Sequence, residues 1–428
     1  MKKRYLTSIM AIIMALILAA CSADTSDSSS AGSSTDKKTG TTTSTAVSSV
    51  TGTNAVLTLD TDSTDTEELF TKRDLNQTPD LDDAEYITVE SGKIYTISEA
   101  GTYVFSGTAT NTTIKVEADK EDKVQLVLEG LSITNDDFPA IYVVSADKCF
   151  ITTSGSNSLK VTGNFTADGS TNTDAVIYSK DDLVLNGTGK LEIVSNYGNG
   201  ISGKDDIKIT GGTYDICSTK DAVEANDSIA IYDGTFVIST SKDAFHSENE
   251  DDNTTGWIYI KDGSFNIMAK SDAIQATTYV KIDGGEYTIN AREGIEATYV
   301  QINGGNIKIT ASDDGINASA KSSVYSVPTI EFNGGYTVID MGDGDTDGVD
   351  ANGSIIVNGG TIDVTAKMSS FDYDVSAEFN GGTIIVNGEE VSEIPQSMMG
   401  GPGGGGFGGG DFQGGGFQGG GGFKGGKR

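Results

Sequence analysis

The sequence predicts an all-β solenoid, specifically a parallel β-helix, on three observations. A motif of the form Ile-x-Ile-x-Gly-Gly-x-Tyr-x-Ile recurs nine times between residues 186 and 388, at intervals of 20 to 30 residues. Apolar residues alternate with polar ones on both sides of the glycine turn, which is typical of strands with one buried face. A 3.6-residue helical pattern does not appear. The anchor glycines, the second of each turn, are Gly189, Gly212, Gly234, Gly263, Gly285, Gly305, Gly335, Gly360 and Gly382.

Each repeat is predicted to hold two short strands around the glycine turn and a third segment that carries an Asp-Ala-Ile phrase. The buried columns lie five and three residues before the anchor, as at Ile207 and Ile209, and two and four residues after it, as at Tyr214 and Ile216. Stacked repeats bury a shared core that no single repeat could bury alone. Less regular coils are expected to begin near residue 85.

The first 20 residues are predicted to be an export signal. Lys2, Lys3 and Arg4 precede an apolar run from residue 9 to 20 that is too short for a stable membrane span. The run ends in Leu-Ala-Ala-Cys, which resembles a lipobox, so Cys21 would become the lipid-modified first residue of a surface-anchored chain. An ordinary secretory signal that happens to contain a cysteine is the alternative.

Composition divides the remainder into four parts. Residues 21–54 have the Ser/Thr-rich composition of a flexible linker. Residues 55–84 are acidic and weakly patterned, and they are expected to cap or extend the first coil. Residues 85–395 are predicted to form the β-helix, and the glycine-rich tail at 396–428 is expected to be disordered.

Charge and cysteine content limit the partners. A formal net charge of −33 excludes nucleic acid as an expected partner, because phosphates require cations. The spacing of Cys149 and Cys217 does not decide whether they form a disulfide. We expect a monomer.

Four stretches resemble the bacterial carbohydrate-binding β-helix lipoproteins, a family similar in fold and calcium sites to pectate lyases but regarded as binding rather than cleaving. The resemblance runs from about residue 84 to 388 and implies a right-handed helix, bound calcium, and cellulose- or pectin-type glycans as ligands. The stretches are Gly-Thr-Tyr-Val-Phe-Ser-Gly at 101–107, Val-Gln-Leu-Val-Leu-Glu-Gly at 124–130, Pro-Ala-Ile-Tyr at 139–142 and Ser-Lys-Asp-Asp-Leu-Val-Leu-Asn-Gly-Thr-Gly at 179–189.

Two acidic columns occupy the third segment of successive repeats. Stacked repeats lie ~4.8 Å apart, so their carboxylates repel one another unless a cation lies between them. Calcium fits because it accepts six to eight oxygen ligands in loose geometry. The alternative is that these Asp residues cap tight turns by bonding their own backbone. The first column reads Asn199, Asp221, Asp243, Asp272, Glu293, Asp314 and Asp347, and the second reads Ser202, Glu224, His246, Gln275, Glu296, Asn317 and Asp350.

The densest acidic group runs from residue 343 to 350. Its alternating Asp and Gly residues resemble the start of a calcium loop, but Ser354 stands where an EF-hand has its bidentate Glu. A calcium-holding turn is predicted, with a solvated acidic loop as the alternative. The predicted metal ligands are Asp221, Glu224, Asp243, Asp272, Glu293, Glu296, Asp313, Asp314, Asn317, Asp343, Asp345, Asp347 and Asp350.

A row of aromatic residues is the predicted carbohydrate surface. Trp257, Tyr279 and Tyr299 stand six residues before successive anchors, and Tyr259 is expected to face the same way as Trp257. Aromatic rings stack on the apolar faces of sugars while their polar tips stay hydrated. The alternative is an aromatic ladder that stacks on itself and only steadies the turn.

The predicted function is a cell-surface lipoprotein that binds polysaccharide through a calcium-holding β-helix without catalysis. A calcium-dependent lyase is one alternative, because Lys220, Lys242 and Arg292 each precede an acidic residue and could act as a base. His246 is the only histidine, which gives Ser-His or Cys-His catalysis little support. A structural or adhesive surface protein, acting through its tail, is the other alternative.

Overall fold

Strands are the recurring element of the structure, a computed structural model that describes residues 69–342 and 347–395. Within those residues lie 36 strands. In chain order they are β1 (Glu85–Thr88), β2 (Ile94–Ile97), β3 (Gly101–Thr110), β4 (Thr113–Glu117), β5 (Lys123–Asn135), β6 (Ile141–Ser145), β7 (Lys148–Ser154), β8 (Ser156–Val161), β9 (Ala175–Ser179), β10 (Leu183–Gly187), β11 (Lys190–Ser195), β12 (Asn199–Gly203), β13 (Asp206–Ile209), β14 (Thr213–Ser218), β15 (Val223–Ala225), β16 (Ser228–Ile231), β17 (Thr235–Thr240), β18 (Phe245–Ser247), β19 (Trp257–Ile260), β20 (Ser264–Ala269), β21 (Asp272–Ala276), β22 (Tyr279–Ile282), β23 (Glu286–Ala291), β24 (Glu293–Ala297), β25 (Tyr299–Ile302), β26 (Asn306–Ala311), β27 (Ile316–Ala318), β28 (Thr329–Phe332), β29 (Tyr336–Met341), β30 (Asp347–Ala351), β31 (Ser354–Val357), β32 (Thr361–Thr365), β33 (Ser369–Tyr373), β34 (Ser376–Phe379), β35 (Thr383–Val386) and β36 (Glu389–Val391).

The strands form three ladders of parallel pairs. Ladder 3 is a separate 12-stranded sheet that runs from β2 to β33. Ladders 1 and 2 join into one 24-stranded sheet because the long strands β3 and β5 run through both. Ladder 1 continues through β7, β10, β13, β16, β19, β22, β25, β28, β31 and β34, and ladder 2 through β8, β11, β14, β17, β20, β23, β26, β29, β32 and β35. The final strand β36 pairs antiparallel with β35. The described chain is therefore an all-β, solenoid-like stack of parallel strands.

The register follows the anchor glycines. Ile207 pairs with Ile229, which pairs with Ile258 and, through it, with the equivalent valines of β22 and β25. All of these side chains are fully buried. Because side chains alternate along a strand, every second residue points inward, and these residues together fill the interior. The predicted core columns are confirmed.

An internal stack of aromatic rings marks the column two residues after the anchor. Tyr214 stacks on Phe236 at 5.2 Å, Phe236 on Phe265 at 4.9 Å, and Phe265 on Tyr287 at 4.5 Å between ring centroids. All four rings are at most 3% exposed. Stacked pairs of this kind contribute about 0.5–1.5 kcal/mol each beyond the burial of apolar area.

The glycine turns have the backbone conformation that the repeats predict. Gly285 and Gly305 have φ values of 103° and 94°, and a Cβ on Gly305 would lie 3.0 Å from the main-chain oxygen of Gly285. Glycine is thus required by both backbone conformation and close approach. The first turn differs, because Gly187 rather than Gly189 takes the positive φ.

The described part of the acidic N-terminal region lies on the flank of the stack. Residues 69–77 run along the outer face of ladder 1. Phe70 lies against Tyr232 and Tyr259, with ring centroids 5.4 and 6.4 Å away, and Gln77 donates to a main-chain oxygen just after β13 at 3.0 Å. These contacts involve strands in the middle of the stack, whereas the sequence led us to expect a cap or an extension of the first coil.

Several predictions fall outside the described residues. They concern the export signal, Cys21, the linker, the glycine-rich tail, and Asp343 and Asp345. Cys149, which is described, is a free and fully buried thiol, so it forms no disulfide with Cys217. Among the described residues no helix is long and apolar enough to cross a membrane.

Candidate metal and glycan site

The second acidic column forms a continuous row across ladder 3. Main-chain pairing aligns each member with the next one along the stack, from Ser202 through Glu224 and His246 to Asp350. Their side chains alternate with the buried Ile, Val and Phe column of the same strands and project from the outer face. The prediction that equivalent polar side chains line up is confirmed for this column.

The first column is also aligned, and its carboxylates have a structural task. Asp221 Oδ1 accepts a hydrogen bond of 3.0 Å from the main-chain N–H of Asp243, and Asp243 Oδ1 accepts one of 2.8 Å from that of Asp272. These three residues are at most 3% exposed. The carboxylates therefore satisfy turn donors, as the capping alternative proposed, but the donors belong to the next repeat rather than to their own turn.

Three carboxylates converge on the outer face of ladder 3, about midway along the stack. Asp272, Glu293 and Glu296, which we call the central cluster, place one oxygen each within 4.8 Å of the others. All three are less than 9% exposed. Burial, together with the charges of Glu293 and Asp243, raises the pKa of Asp272 to about 7. Burial and the charge of Glu296 raise the pKa of Glu293.

Two cations partly offset this charge. Arg292 donates to Asp272 at 3.1 Å, lies 2.6 Å from Glu293 Oε1 and bonds Asp313, while Lys321 Nζ lies 2.6 Å from Glu296 Oε2. The Arg292 side chain is 43% exposed, so water screens it. Since Asp313 is held by Arg292 and is itself 45% exposed, it lies outside the cluster.

Asn317 adds a neutral oxygen to the central cluster. Its Nδ2 donates to Glu293 at 3.2 Å, and its buried Oδ1 has no hydrogen-bond partner among the residues that the structure describes. Main-chain pairing aligns Asn317 with Glu296. Carboxylate and amide oxygens are ligand types that calcium accepts, so the residue types at this cluster are compatible with this ion.

The other predicted ligands form two further groups. Asp221 and Glu224 lie with His246, again with ligand atoms within 4.8 Å of one another. Asp314 and Asp350 form the other group, where burial and neighbouring carboxylates, including Asp350 beside Asp314, raise the pKa of each to about 7. The main-chain N–H of Asp347 donates to Asp314 at 3.3 Å. Asp243 lies between the first group and the central cluster.

The aromatic row is partly covered, which corrects the predicted sugar surface. Trp257 and Tyr279 are half-buried and stack on each other, with centroids 5.5 Å apart and planes 6° apart. Tyr299 is 9% exposed and lies under Tyr325, at 4.9 Å. Tyr259 is 4% exposed, because the 69–77 segment packs over it, and its hydroxyl donates to Asp283, the residue after β22, at 2.7 Å. Only Trp257 and Tyr279, of the four predicted rings, remain accessible.

Two loops flank the aromatic row. Residues 248–256 join β18 to β19, and residues 319–328 join β27 to β28; they account for the two longest repeats. The hydroxyls of Ser322 and Ser323 donate to the main chain and side chain of Asn253, at 2.6 and 2.9 Å. The loops therefore contact each other across the intervening repeats, and they supply Lys321 and Tyr325, which no repeat pattern could have identified.

A row of hydrogen-bonded side-chain amides follows the strands of ladder 1, and the sequence analysis did not identify it. Asn303 donates to Asp283 at 2.7 Å, Asn333 to Asn303 at 2.8 Å, and Asn358 to Asn333 at 2.8 Å. The signal was present, because an Asn or Asp precedes each Gly-Gly pair in this part of the chain. Such a row of amides links successive repeats through side-chain hydrogen bonds.

The fold and site together describe a solenoid-like β-protein that presents buried carboxylates and aromatic rings in rows. Residues 91–348, more than half of the chain, match the family described as carbohydrate-binding domain-containing proteins, and the chain belongs to that family. A carbohydrate-binding domain-containing protein of Acetivibrio thermocellus is 39% identical over 198 residues, which are 45% of this chain and 69% of that protein. A solved structure, of a polysaccharide lyase-like protein from C. thermocellum in a gadolinium derivative, aligns with 73% of this chain and 96% of its own at 21% identity and a TM-score of 0.32.

Proposed function

We propose that this chain binds a cellulose- or pectin-like polysaccharide without cleaving it, on a surface formed by the central cluster and the adjacent Trp257–Tyr279 pair. Calcium occupies the central cluster, and the stack is a right-handed parallel β-helix anchored outside the cell through a lipid on Cys21. Family membership supports carbohydrate binding. The observation that carries the proposal is the convergence of three buried carboxylates, one of which accepts a hydrogen bond from Asn317, on strands that contact β22 of the partly exposed ring pair.

The charge of the cluster is the reason for proposing an ion. Asp272, Glu293, Glu296 and the Oδ1 atom of Asn317 would hold calcium, which supplies positive charge for sugar hydroxyls or a uronate carboxylate. Without an ion, the cluster would have to stay partly protonated, as the raised pKa of Asp272 indicates. Without the ion, an acidic glycan would be repelled by the chain, whose formal net charge is −33.

The ring pair sets where a sugar can lie. Because Trp257 and Tyr279 cover one face of each other, they offer the sugar their outer edges and the remaining free ring surface. The flanking loops at 248–256 and 319–328 border this strip. We therefore place the glycan along the stack, across the corner between ladder 3 and ladder 1.

Two of the candidate bases for a lyase form ion pairs with carboxylates. Lys220 lies 2.5 Å from Asp174, and Lys242 lies 2.8 Å from Asp221. Burial lowers the pKa of Lys242, but its bond to Asp221 outweighs this and the net pKa is raised. A base must lose its proton near the working pH. These pairings favour binding over proton abstraction.

Retention on polygalacturonate and cellulose columns, with calcium and then with a chelator, tests the proposal. We expect retention that needs calcium, and its loss in Glu296→Gln. Glu286→Gln is the matched control, because Glu286 lies on ladder 2 and bonds Asn306 away from the cluster. Retention that survives both the chelator and Glu296→Gln would refute the calcium-dependent surface.

Two further measurements separate the alternatives. Incubation with polygalacturonate and calcium should give no ultraviolet absorbance from unsaturated product; a rise in that absorbance would establish a lyase. Removing residues 400–428 should leave glycan retention unchanged. Retention lost with those residues would instead indicate adhesion through the tail.

A further inference from the structure

The chain's single histidine lies in a cluster that differs in chemistry from the central one. Asp221, Glu224 and His246, the histidine cluster, place one ligand atom each within 4.8 Å of the others. Asp221 is 1% exposed and His246 is 7% exposed, while Glu224 is half-buried at the outer edge. A nitrogen donor among carboxylates is not the set that calcium prefers, since calcium is bound through oxygen.

The Nδ1 atom of His246 faces two carboxylates of this part of the stack at distances longer than a hydrogen bond. It is buried without a hydrogen-bond partner in the described part of the chain, and it lies 3.6 Å from Oδ2 of Asp221 and 3.8 Å from Oδ2 of Asp243. Both distances are too long for a hydrogen bond. They are close to the ~3.4 Å that separates two ligand atoms of a tetrahedral ion with bonds of about 2.0–2.2 Å. The spacing therefore suits an ion between the atoms.

Surrounding groups hold two of the ligands, His246 and Glu224, in place. The Nε2 atom of His246 lies 3.2 Å from a carboxylate oxygen of Glu248, which orients the ring. Asn199 and Ser202 each donate to Oε2 of Glu224 at 2.9 Å. Metal-bound histidines characteristically donate their second ring N–H to a carboxylate or carbonyl. The orientation of this imidazole matches that arrangement.

We propose that Asp221, Glu224 and His246 form a binding site for a divalent transition-metal ion, with Zn²⁺ as the best match. Imidazole and carboxylate ligands together suit zinc and its first-row neighbours. Three protein ligands leave a fourth position for water or a ligand oxygen. The site lies in the same rows as the central cluster but takes a different class of ion, so it goes beyond the proposed calcium site.

One ion pair opposes metal binding. Lys242 Nζ donates to Oδ2 of Asp221 at 2.8 Å, on the oxygen that faces the histidine. The Lys242 side chain is 47% exposed and flexible, so it can move into solvent when an ion arrives. Removing the charge of Lys242 should therefore increase the affinity for zinc. If these residues form only an ion-pair network, the same change should lower the stability of the protein without increasing its affinity for zinc.

Calorimetric titration of the metal-stripped full chain, without a histidine tag and in the presence of calcium, tests the proposal. We expect one zinc ion that His246→Gln removes. Glutamine is compatible with this position, because Gln275 occupies it in the next repeat. Glu248→Gln should weaken zinc binding about 10- to 100-fold, Lys242→Gln should strengthen it, and Glu286→Gln should leave it unchanged. Equal zinc binding by the wild type and His246→Gln would overturn the site.

The single histidine provides a second readout that needs no variant. In a long-range ¹H–¹⁵N spectrum of the ¹⁵N-labelled wild type, one equivalent of Zn²⁺ should shift the Nδ1 resonance of His246 while excess Ca²⁺ should not. An Nδ1 resonance that ignores zinc would overturn the proposal and leave an imidazolium ion pair. Because calcium dependence of glycan retention does not enter either measurement, failure of the calcium proposal would not be mistaken for failure of this one.

Discussion

Raising the pH of the metal-free protein from 5 to 8 should destabilise it, and calcium should reverse that loss. The reason lies in Asp272, whose side chain is 4% exposed and whose pKa is raised from 3.8 to about 7 by burial, Glu293 and Asp243. Between these values the folded chain keeps a proton that the unfolded chain has released. Stability is therefore present in full below the unfolded pKa and falls as the pH rises through about 7.

The size of the effect follows from the pKa difference. About 3 pKa units correspond to at most ~4 kcal/mol of unfolding free energy over the whole range from pH 3.8 to about 7, and the ~2 units that lie above pH 5 account for at most ~2.7 kcal/mol of it. Relaxation of the cluster and solvation through the exposed Arg292 reduce this, so we expect a loss of about 2 kcal/mol. Asp314 and Asp350 shift in the same direction and add to it. Calcium at a hundred times its Kd should restore about 2.7 kcal/mol.

Urea unfolding at pH 5 and pH 8, each with chelator and with calcium, measures these quantities. Asp272→Asn is the matched variant, because Asn199 stands in the same column and its Oδ1 holds the main-chain N–H of Asp221 at 2.9 Å. The variant should show a smaller pH dependence and a smaller calcium effect. Higher stability of the metal-free wild type at pH 8 than at pH 5, or an unchanged pH dependence in Asp272→Asn, would refute the reasoning.

Three other changes probe the surface, the core and the turns. Replacing Trp257 and Tyr279 together by Ala should weaken glycan retention without unfolding the chain, and Tyr336→Ala, at an exposed ring on ladder 2, should leave retention intact on the same column. Phe236→Ala should lower the unfolding free energy by about 3–5 kcal/mol, because it opens a cavity in the internal ring stack; a loss below ~1 kcal/mol in urea would show that the stack can collapse into the gap. Gly305→Ala should destabilise by more than ~1 kcal/mol in the same assay, since the turn requires a positive φ and close backbone approach; an unchanged midpoint would contradict this.

The repeating part of the structure was predictable because its physics is local. Side chains alternate along a strand with a period of two residues, so Ile207 and Ile209 lie on the same face. A glycine turn of constant form then keeps the next strand in the same register. Once repeats are in register, polar columns must become rows, which is why Glu224, His246 and Glu296 lie where the spacing placed them.

The accessibility of the rows was decided by segments that do not repeat. The 69–77 segment covers Tyr259, and Tyr325 from a loop covers Tyr299. The contact between Ser322 and Asn253 joins loops 69 residues apart in sequence. No periodic signal encodes such contacts, since they depend on which side chains the folded stack brings within reach. The sequence alone thus determined the order of the strands and rows, and tertiary packing decided which rings stay exposed and which carboxylates converge.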